Sequence, residues 1–398
     1  MVNPLRYLYR RLINHQLQGY DLLLICITLL LVLTGIVMIY SASSGLSDRA
    51  FGSSAVLLRN HLLHLGVGLA GLLIAMRVPL AWWKEWIPVA LLLCFLLLIL
   101  VLIPGIGTKV GGARRWFRLG PISVQPTEVL KFVLIAFVAS YLDRKQDVVA
   151  QFFRGVMPGM AVMGVFLLLV LLQPDFGSMV LIALTLLLMI FVGGAKPGHI
   201  LASLAGCLVL GGYLIASQTY RLKRLLVFLN PWQDPQDSGF QIIQSYLAFG
   251  NGGLFGVGLG DSRQKMFFLP DAHTDFIFSI LAEELGLLGV LAVMFLFACF
   301  VWRGFRASLA AQDDFSKYLG YGISTLFGLQ IILNLAVVMG MMPTKGLPLP
   351  FISLGGSSLV LSLFMTGVLL NIGRRATPWS GGGLTGGGLT GNGFRSLR

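Results

Sequence analysis

The chain has 398 residues, of which 56% are hydrophobic and only 11% charged, with a formal net charge of +13. A mean hydropathy of +0.85 excludes an ordinary soluble enzyme, in which about 25% of residues are charged. The basic residues do not form the aromatic-interleaved runs of a nucleic-acid surface.

Apolar runs of about 20 residues, each long enough for a bilayer core of roughly 30 Å, recur from Asp21 almost to Gly373. They are continuous rather than alternating, which excludes a transmembrane β-barrel. The pattern predicts an all-α polytopic membrane protein. The basic segment 1–20 leads into a retained first helix over 21–41, too long for a cleaved signal. Further spans are predicted at 57–76, 86–103, 126–142, 156–173, 177–193, 198–216, 274–301, 317–340 and 353–373, ten in all. Gln173-Pro174-Asp175-Phe176-Gly177 turns the fifth span into the sixth, because proline and glycine interrupt a helix there. The segment 377–398, with its Gly-Gly-Gly-Leu-Thr repeats, reads as a flexible tail. Cys26, Cys94, Cys207 and Cys299 all lie in apolar runs and read as small core residues, with neither a disulfide framework nor a CxxC site.

Ten spans put both termini on one side, together with Arg77, Lys84, Arg144, Lys145, Lys196, Arg303 and Arg306. The excess of lysine and arginine makes that side cytoplasmic. Two loops on the other side are also basic. The 104–125 loop carries Lys109, Arg114, Arg115 and Arg118, and the long 217–273 loop carries Arg221, Lys223, Arg224, Arg263 and Lys265. Such charge on an outer face suits an anionic ligand. The aromatic content of the long loop, including Phe240, Tyr246 and Phe255, predicts amphipathic pieces on the membrane surface.

Ionisable residues inside spans are costly and mark candidate sites. Glu128 and Lys131 share a helical face and can pair, either as a structural lock or as the wall of a polar cavity. Asp275 follows His273 and Thr274 where the long loop re-enters the membrane. It can cap a helix or serve as a general base. Glu283 and Glu284 are adjacent, so at least one faces the interior, in a structural or gating role. Arg114, Arg115 and Trp116 can form an interfacial belt or a phosphate clamp. His61 and His64 share a face, but no carboxylate or cysteine lies close in sequence to complete a metal site. The glycines between Gly250 and Gly260 lack the strand and lysine-serine/threonine pair of a nucleotide loop.

Several stretches together carry a family resemblance. They are Tyr40-Ser41-Ala42-Ser43, Gly112 to Trp116, Gln125 to Lys131, Gln173 to Gly177, Gly239-Phe240-Gln241 with Gln244-Ser245, Phe268 to Phe276 with Glu283 to Gly286, and Pro348 to Ser353. The chain thereby resembles the SEDS (shape, elongation, division and sporulation) glycosyltransferases over about residues 15–376. The loop Met341 to Pro348 is more similar to division members than to elongation members. Leu354 departs from the tyrosine more usual before Gly355-Gly356.

The resemblance implies polymerisation of lipid II into β-1,4 glycan strands on the outer face of the bacterial inner membrane, at the division septum. Undecaprenyl pyrophosphate leaves and the anomeric centre inverts. It implies Asp275 as the catalytic carboxylate, in preference to Asp271. The candidate substrate-binding set is Arg114, Arg115, Trp116, Glu128, Lys131, Gln244, Ser245, Lys265, His273, Thr274 and Lys345. No protein metal site is expected, although Mg or Mn could share the pyrophosphate. No Ser-x-x-Lys crosslinking site in a soluble domain is present, so a class B penicillin-binding transpeptidase and a division regulatory complex are the expected partners. A lipid II flippase, an elongation-type polymerase and a recruiting scaffold are the rival readings.

Overall fold

The structure is a computed structural model, and it describes residues 19–51, 53–110, 112–120, 122–216, 227–235, 239–265, 273–343 and 346–376. Lys345, Asp271, the first 18 residues and the 377–398 tail lie outside the described residues, as does much of the 217–273 loop. Helices occur at all ten predicted positions. They are α1 (Leu22–Phe51), α2 (Val56–Arg77), α3 (Leu80–Leu100), α4 (Pro126–Lys145), α5 (Met157–Leu172), α6 (Phe176–Val192), α7 (Pro197–Ala216), α9 (Ile277–Leu309), α10 (Asp314–Val338) and α11 (Gly356–Ala376). An additional helix, α8 (Phe240–Gly252), supplies one of the amphipathic pieces expected in the long loop. It buries Ile242, Ile243, Ser245 and Ala248.

Two expectations are corrected. The first helix continues beyond the expected end at 41 to Phe51, so the whole of Tyr40 to Ser43 lies within it. The basic 104–125 loop is not simply a loop. It folds into an antiparallel sheet, β1 (Thr108–Val110), β2 (Ala113–Leu119) and β3 (Ile122–Val124), in that spatial order. The strands pair Lys109 with Arg114 and Phe117 with Val124. The architecture is therefore helical with one small sheet. Strands this short carry too little alternation to be read beside long apolar runs.

Seven of the described helices are long and apolar enough to cross a membrane, α5 being so only together with the π-helical turn Phe152–Val156 that leads into it. The shorter α6, with 17 residues, and the described apolar part of α7, Pro197–Val209, fall below that length. The helix α4 carries Glu128 and Lys131 within its first two turns. It can do so because it is an interior helix: most of its residues, from Pro126 to Leu142, are buried.

The layering explains which helices tolerate polarity. The most apolar windows of α10 and α11 are 67% and 72% buried, whereas those of α2 and α3 are only 17% buried. The helix α4 packs against α3, α10 and α6, and α11 makes its largest contact with α2. Trp83, Phe132 and Phe364 meet edge to face with centroids 4.9 to 5.7 Å apart, joining α3, α4 and α11. Aromatic edges complement aromatic faces in this arrangement.

Local chemistry sets several helix starts. Asp175 accepts from the Ser178 backbone N–H at 3.1 Å and caps α6, and Asp313 does the same for α10 through Ser316. Each satisfies an orphan donor of the first turn. Where α1 begins, Arg303 bonds Asp21 at 2.6 Å, joining α9 to α1.

The helix α9 is interrupted at Gly286, with φ +65° and ψ −168°. The segment 252–258 crosses this break and supplies the missing partners. Val257 and Gly258 donate to the carbonyls of Glu283 and Glu284, while Leu287 and Leu288 donate to those of Gly253 and Leu254. An added Cβ at Gly286 would lie 2.3 Å from the Gly256 nitrogen. The glycine-rich stretch is thus a backbone strap, which explains its composition without a nucleotide.

Candidate active site

The end of the bundle opposite Asp21 and the last turn of α11 gathers nearly all the sequence candidates. Asp275 lies in the turn that leads into α9, half-buried beside the fully buried Phe276 and Phe278. The loop 346–355 packs against this turn. An ideal Cβ on Gly346 would sit 3.2 Å from Asp275 Oδ2, so the loop backbone lies beside the carboxylate. Leu354 N donates to His273 O at 2.9 Å, and Ser353 Oγ donates to Thr274 O at 2.6 Å. Asn334 of α10 donates from Nδ2 to Asp275 O at 3.0 Å and to Leu347 O at 2.7 Å. Gln330 Nε2, one turn earlier, donates to Pro348 O at 2.7 Å. The loop is stiffened at Phe351, whose φ is +65° and whose ring packs on Phe300 and Phe327.

Glu128 and Lys131 pair at 2.7 Å, with 5% and 1% of their surface exposed. Glu128 borders a cavity of about 710 Å³ lined by His64, Trp82, Trp86, Phe132, Ser357 and other mainly apolar residues. Ser357 joins the cavity rim to the sheet, accepting from Gln125 N at 3.0 Å and donating to Ser123 O at 2.7 Å. The cavity wall is thus apolar with a single ion pair at its edge, which suits a long hydrocarbon chain whose polar end lies at the sheet.

Arg115, on β2, donates from Nε to Gln173 O at 2.8 Å and from Nη2 to Pro174 O at 2.5 Å. Its fork clasps the hairpin between α5 and α6, and Gln125 Nε2 donates to Asp175 of the same turn at 3.2 Å. Two motifs distant in sequence are therefore one structural knot. Arg114 and Trp116 flank Arg115 on β2 and pair with Lys109 and Thr108.

Lys265 Nζ bonds both Glu284 Oε1 and Ser41 Oγ at 2.9 Å, and Ser41 Oγ also donates to Glu284 Oε1 at 2.5 Å. This cluster pins the long loop to α1 and α9. Lys265 and Ser41 also line a smaller cavity of about 360 Å³ with Tyr40 and Ser44. Glu283 anchors the same loop, accepting from Ser262 Oγ, Asn251 Nδ2 and the Gln264 backbone. Ser245 of α8 bonds Ser279 at 2.8 Å and Val338 O at 2.6 Å, while Gln244 beside it is half-buried. Lys345 cannot be placed, being outside the described residues.

His61 and His64 are both buried in α2, and His64 Nδ1 lies 2.7 Å from Asn60 O. Among the described residues no group of three or more His, Cys, Asp and Glu side chains could hold a metal ion. Sequence reasoning missed Asn334, Gln330 and Ser353. The signal was present: two amides four residues apart, on one face of an apolar span. Screening the spans for ionisable groups alone passed over them.

A bundle with seven described helices long and apolar enough to cross a membrane, sheltering an ion pair beside an apolar cavity, defines an integral membrane protein. The chain belongs to the FtsW/RodA/SpoVE family of cell cycle proteins, whose pattern it matches over residues 21–377. It is 46% identical over 360 residues to the probable peptidoglycan glycosyltransferase FtsW of Geobacter sulfurreducens, covering 90% of this chain and 96% of the relative. It is 44% identical over 356 residues to stage V sporulation protein E of Bacillus subtilis, covering 89% and 97%. Among solved structures, it superimposes on a chain of a peptidoglycan synthase complex that coordinates polymerization and crosslinking. That match has a TM-score of 0.74 and 30% identity over 89% of this chain and 98% of the other. It also matches the rod shape determining protein RodA of Thermus thermophilus, with TM-score 0.67 and 28% identity over 89% and 97%.

Proposed function

We propose that this protein is a peptidoglycan glycosyltransferase that polymerises lipid II into β-1,4 glycan strands for septal wall synthesis. The observation that carries the reading is Asp275, fixed at the loop end of a bundle shared with FtsW relatives along nearly their whole length. The acceptor sugar's 4-hydroxyl attacks the donor's anomeric carbon. The bond to undecaprenyl pyrophosphate breaks with inversion, and the hydroxyl proton passes to the Asp275 carboxylate. Departing pyrophosphate needs nearby positive charge, which the basic β-sheet and the long loop supply. The apolar cavity beside Glu128 is suited to a polyprenyl tail.

In this reading all ten predicted helices span the inner membrane, the termini are cytoplasmic and the sheet end faces outward. A divalent cation, Mg or Mn, shared with the pyrophosphate would draw its ligands from substrate oxygens and water. A class B transpeptidase supplies crosslinking. The lipid-facing surface of α9 and α10 and the long loop are the contact surfaces; Leu287, Leu291 and Phe295 of α9 are exposed and apolar. The test is polymerisation of purified lipid II by the protein reconstituted with that partner. The native protein should form glycan strands, Asp275→Asn should form none, and Asp271→Asn should remain active. Near-normal synthesis by Asp275→Asn would place the base elsewhere.

A further inference from the structure

We infer that Asn334 is a positioning residue for Asp275, holding it in register with the 346–354 loop; this rests on the role proposed for Asp275. His273, Thr274 and Asp275, in the turn just before α9, present three consecutive carbonyls toward the 346–354 loop and α10. Each receives a donor from across the site: His273 from Leu354 N, Thr274 from Ser353 Oγ and Asp275 from Asn334 Nδ2. Asn334 is the member that reaches both sides. Its second N–H bonds Leu347 O, one residue from Gly346, whose backbone lies beside the Asp275 carboxylate. One planar amide thus sets the distance between the carboxylate-bearing turn and the loop that walls it.

The burial of Asn334 points the same way. It is 1% exposed in an apolar helix, and its Oδ1 has no hydrogen-bond partner among the described residues. A buried unpaired acceptor costs stability, and the side chain bears that cost while its Nδ2 serves two carbonyls on opposite sides of the turn. Misplacing a reacting group by about 1 Å can cost on the order of a hundredfold in rate, which gives the amide a catalytic reason to persist. Ser353 acts with it, because its hydroxyl accepts from Leu349 N at 2.8 Å while donating to Thr274 O.

The bundle contains its own matched control. Asn371 of α11 is also buried, and its Nδ2 also bonds two carbonyls, Ala75 O at 2.9 Å and Val78 O at 2.7 Å. Those bonds secure the end of α2, at the opposite end of the bundle. Lipid II polymerisation by the reconstituted native protein, Asn334→Ala and Asn371→Ala is compared, with thermal unfolding of each. Asn334→Ala should lower kcat by on the order of tenfold or more and leave KM within roughly twofold. Asn371→Ala should lose similar stability with kcat within roughly twofold of the native value.

Ser353→Ala should lower kcat in the same manner, and Ser353→Thr, which keeps the hydroxyl, should restore most of it. Equal kcat losses in the two asparagine variants would overturn the positioning role. If Asn334→Ala does not assemble, the serine pair decides: a Ser353→Ala enzyme with native kcat would overturn the proposal. Asp275→Asn runs in the same assay. Activity surviving there refutes the base assignment itself, whereas an inactive Asp275→Asn beside a fully active Asn334→Ala refutes only the positioning.

Discussion

Lys265 and Glu284 pair at 2.9 Å, with 9% and 0% of their side chains exposed, and so fasten the long loop to the first turns of α9, just before its break at Gly286. The other Glu284 oxygen is buried with no hydrogen-bond partner among the described residues. Removing Lys265 would leave that carboxylate buried and uncompensated, at a cost of about 3–5 kcal/mol. Lys265→Ala should therefore lower the thermal midpoint in detergent, and Lys265→Met with Glu284→Gln should recover most of the loss. If Lys265→Ala keeps native stability but raises the apparent KM for lipid II, the lysine acts on substrate instead of on the loop.

Glu128 and Lys131 have the same chemistry inside the membrane. Alanine at either position should cost about 3–5 kcal/mol by stranding the partner. Exchanging the two residues should restore part of both stability and polymerisation, because the pair lies on one helical face. Native activity in either single variant would show that the pair is incidental to the cavity.

Arg115 commits two donors to the turn between α5 and α6. Arg115→Ala should cost on the order of 1–3 kcal/mol, and Arg115→Lys should recover only part, since lysine has no fork. Thermal melting of the three proteins checks this. Were Arg115→Ala to melt like the native protein while its lipid II KM rose, holding anionic substrate would be its whole role.

Gly286→Ala should be poorly tolerated. The residue sits at φ +65°, and a methyl group would meet the strap backbone. The conformational strain alone is about 1–3 kcal/mol. Alanine at Gly206 of α7, where an added Cβ meets nothing within 4 Å, is the matched comparison. Equal stability of the two variants would mean that the strap yields readily.

The helices were legible because an apolar run of span length has few alternatives in a bilayer. The candidate site was legible as residue types, since Asp275, Glu128, Lys131 and the basic loops stand out against an apolar background. Their connections were not. Nothing at Lys265 indicates that it meets Ser41 of the first helix, and nothing at Arg115 points to the carbonyls of Gln173 and Pro174. These are long-range contacts fixed by the fold. Asn334 escaped notice because a neutral amide in an apolar helix carries no charge to flag it. The sheet at 108–124 escaped because short strands lack a readable period.

The strap across Gly286 also has a consequence for biogenesis. The residues that complete the backbone pairing of α9 precede it in the chain, so 252–258 emerges from the ribosome before the helix it must complete. The pairing of 253–258 with 283–288 should therefore form as one cooperative unit. Amide exchange at Leu287 and Leu288 should report the docking of 252–258, and a nascent chain stopped just after α9 should already carry the strap, before α10 and Asn334 are made.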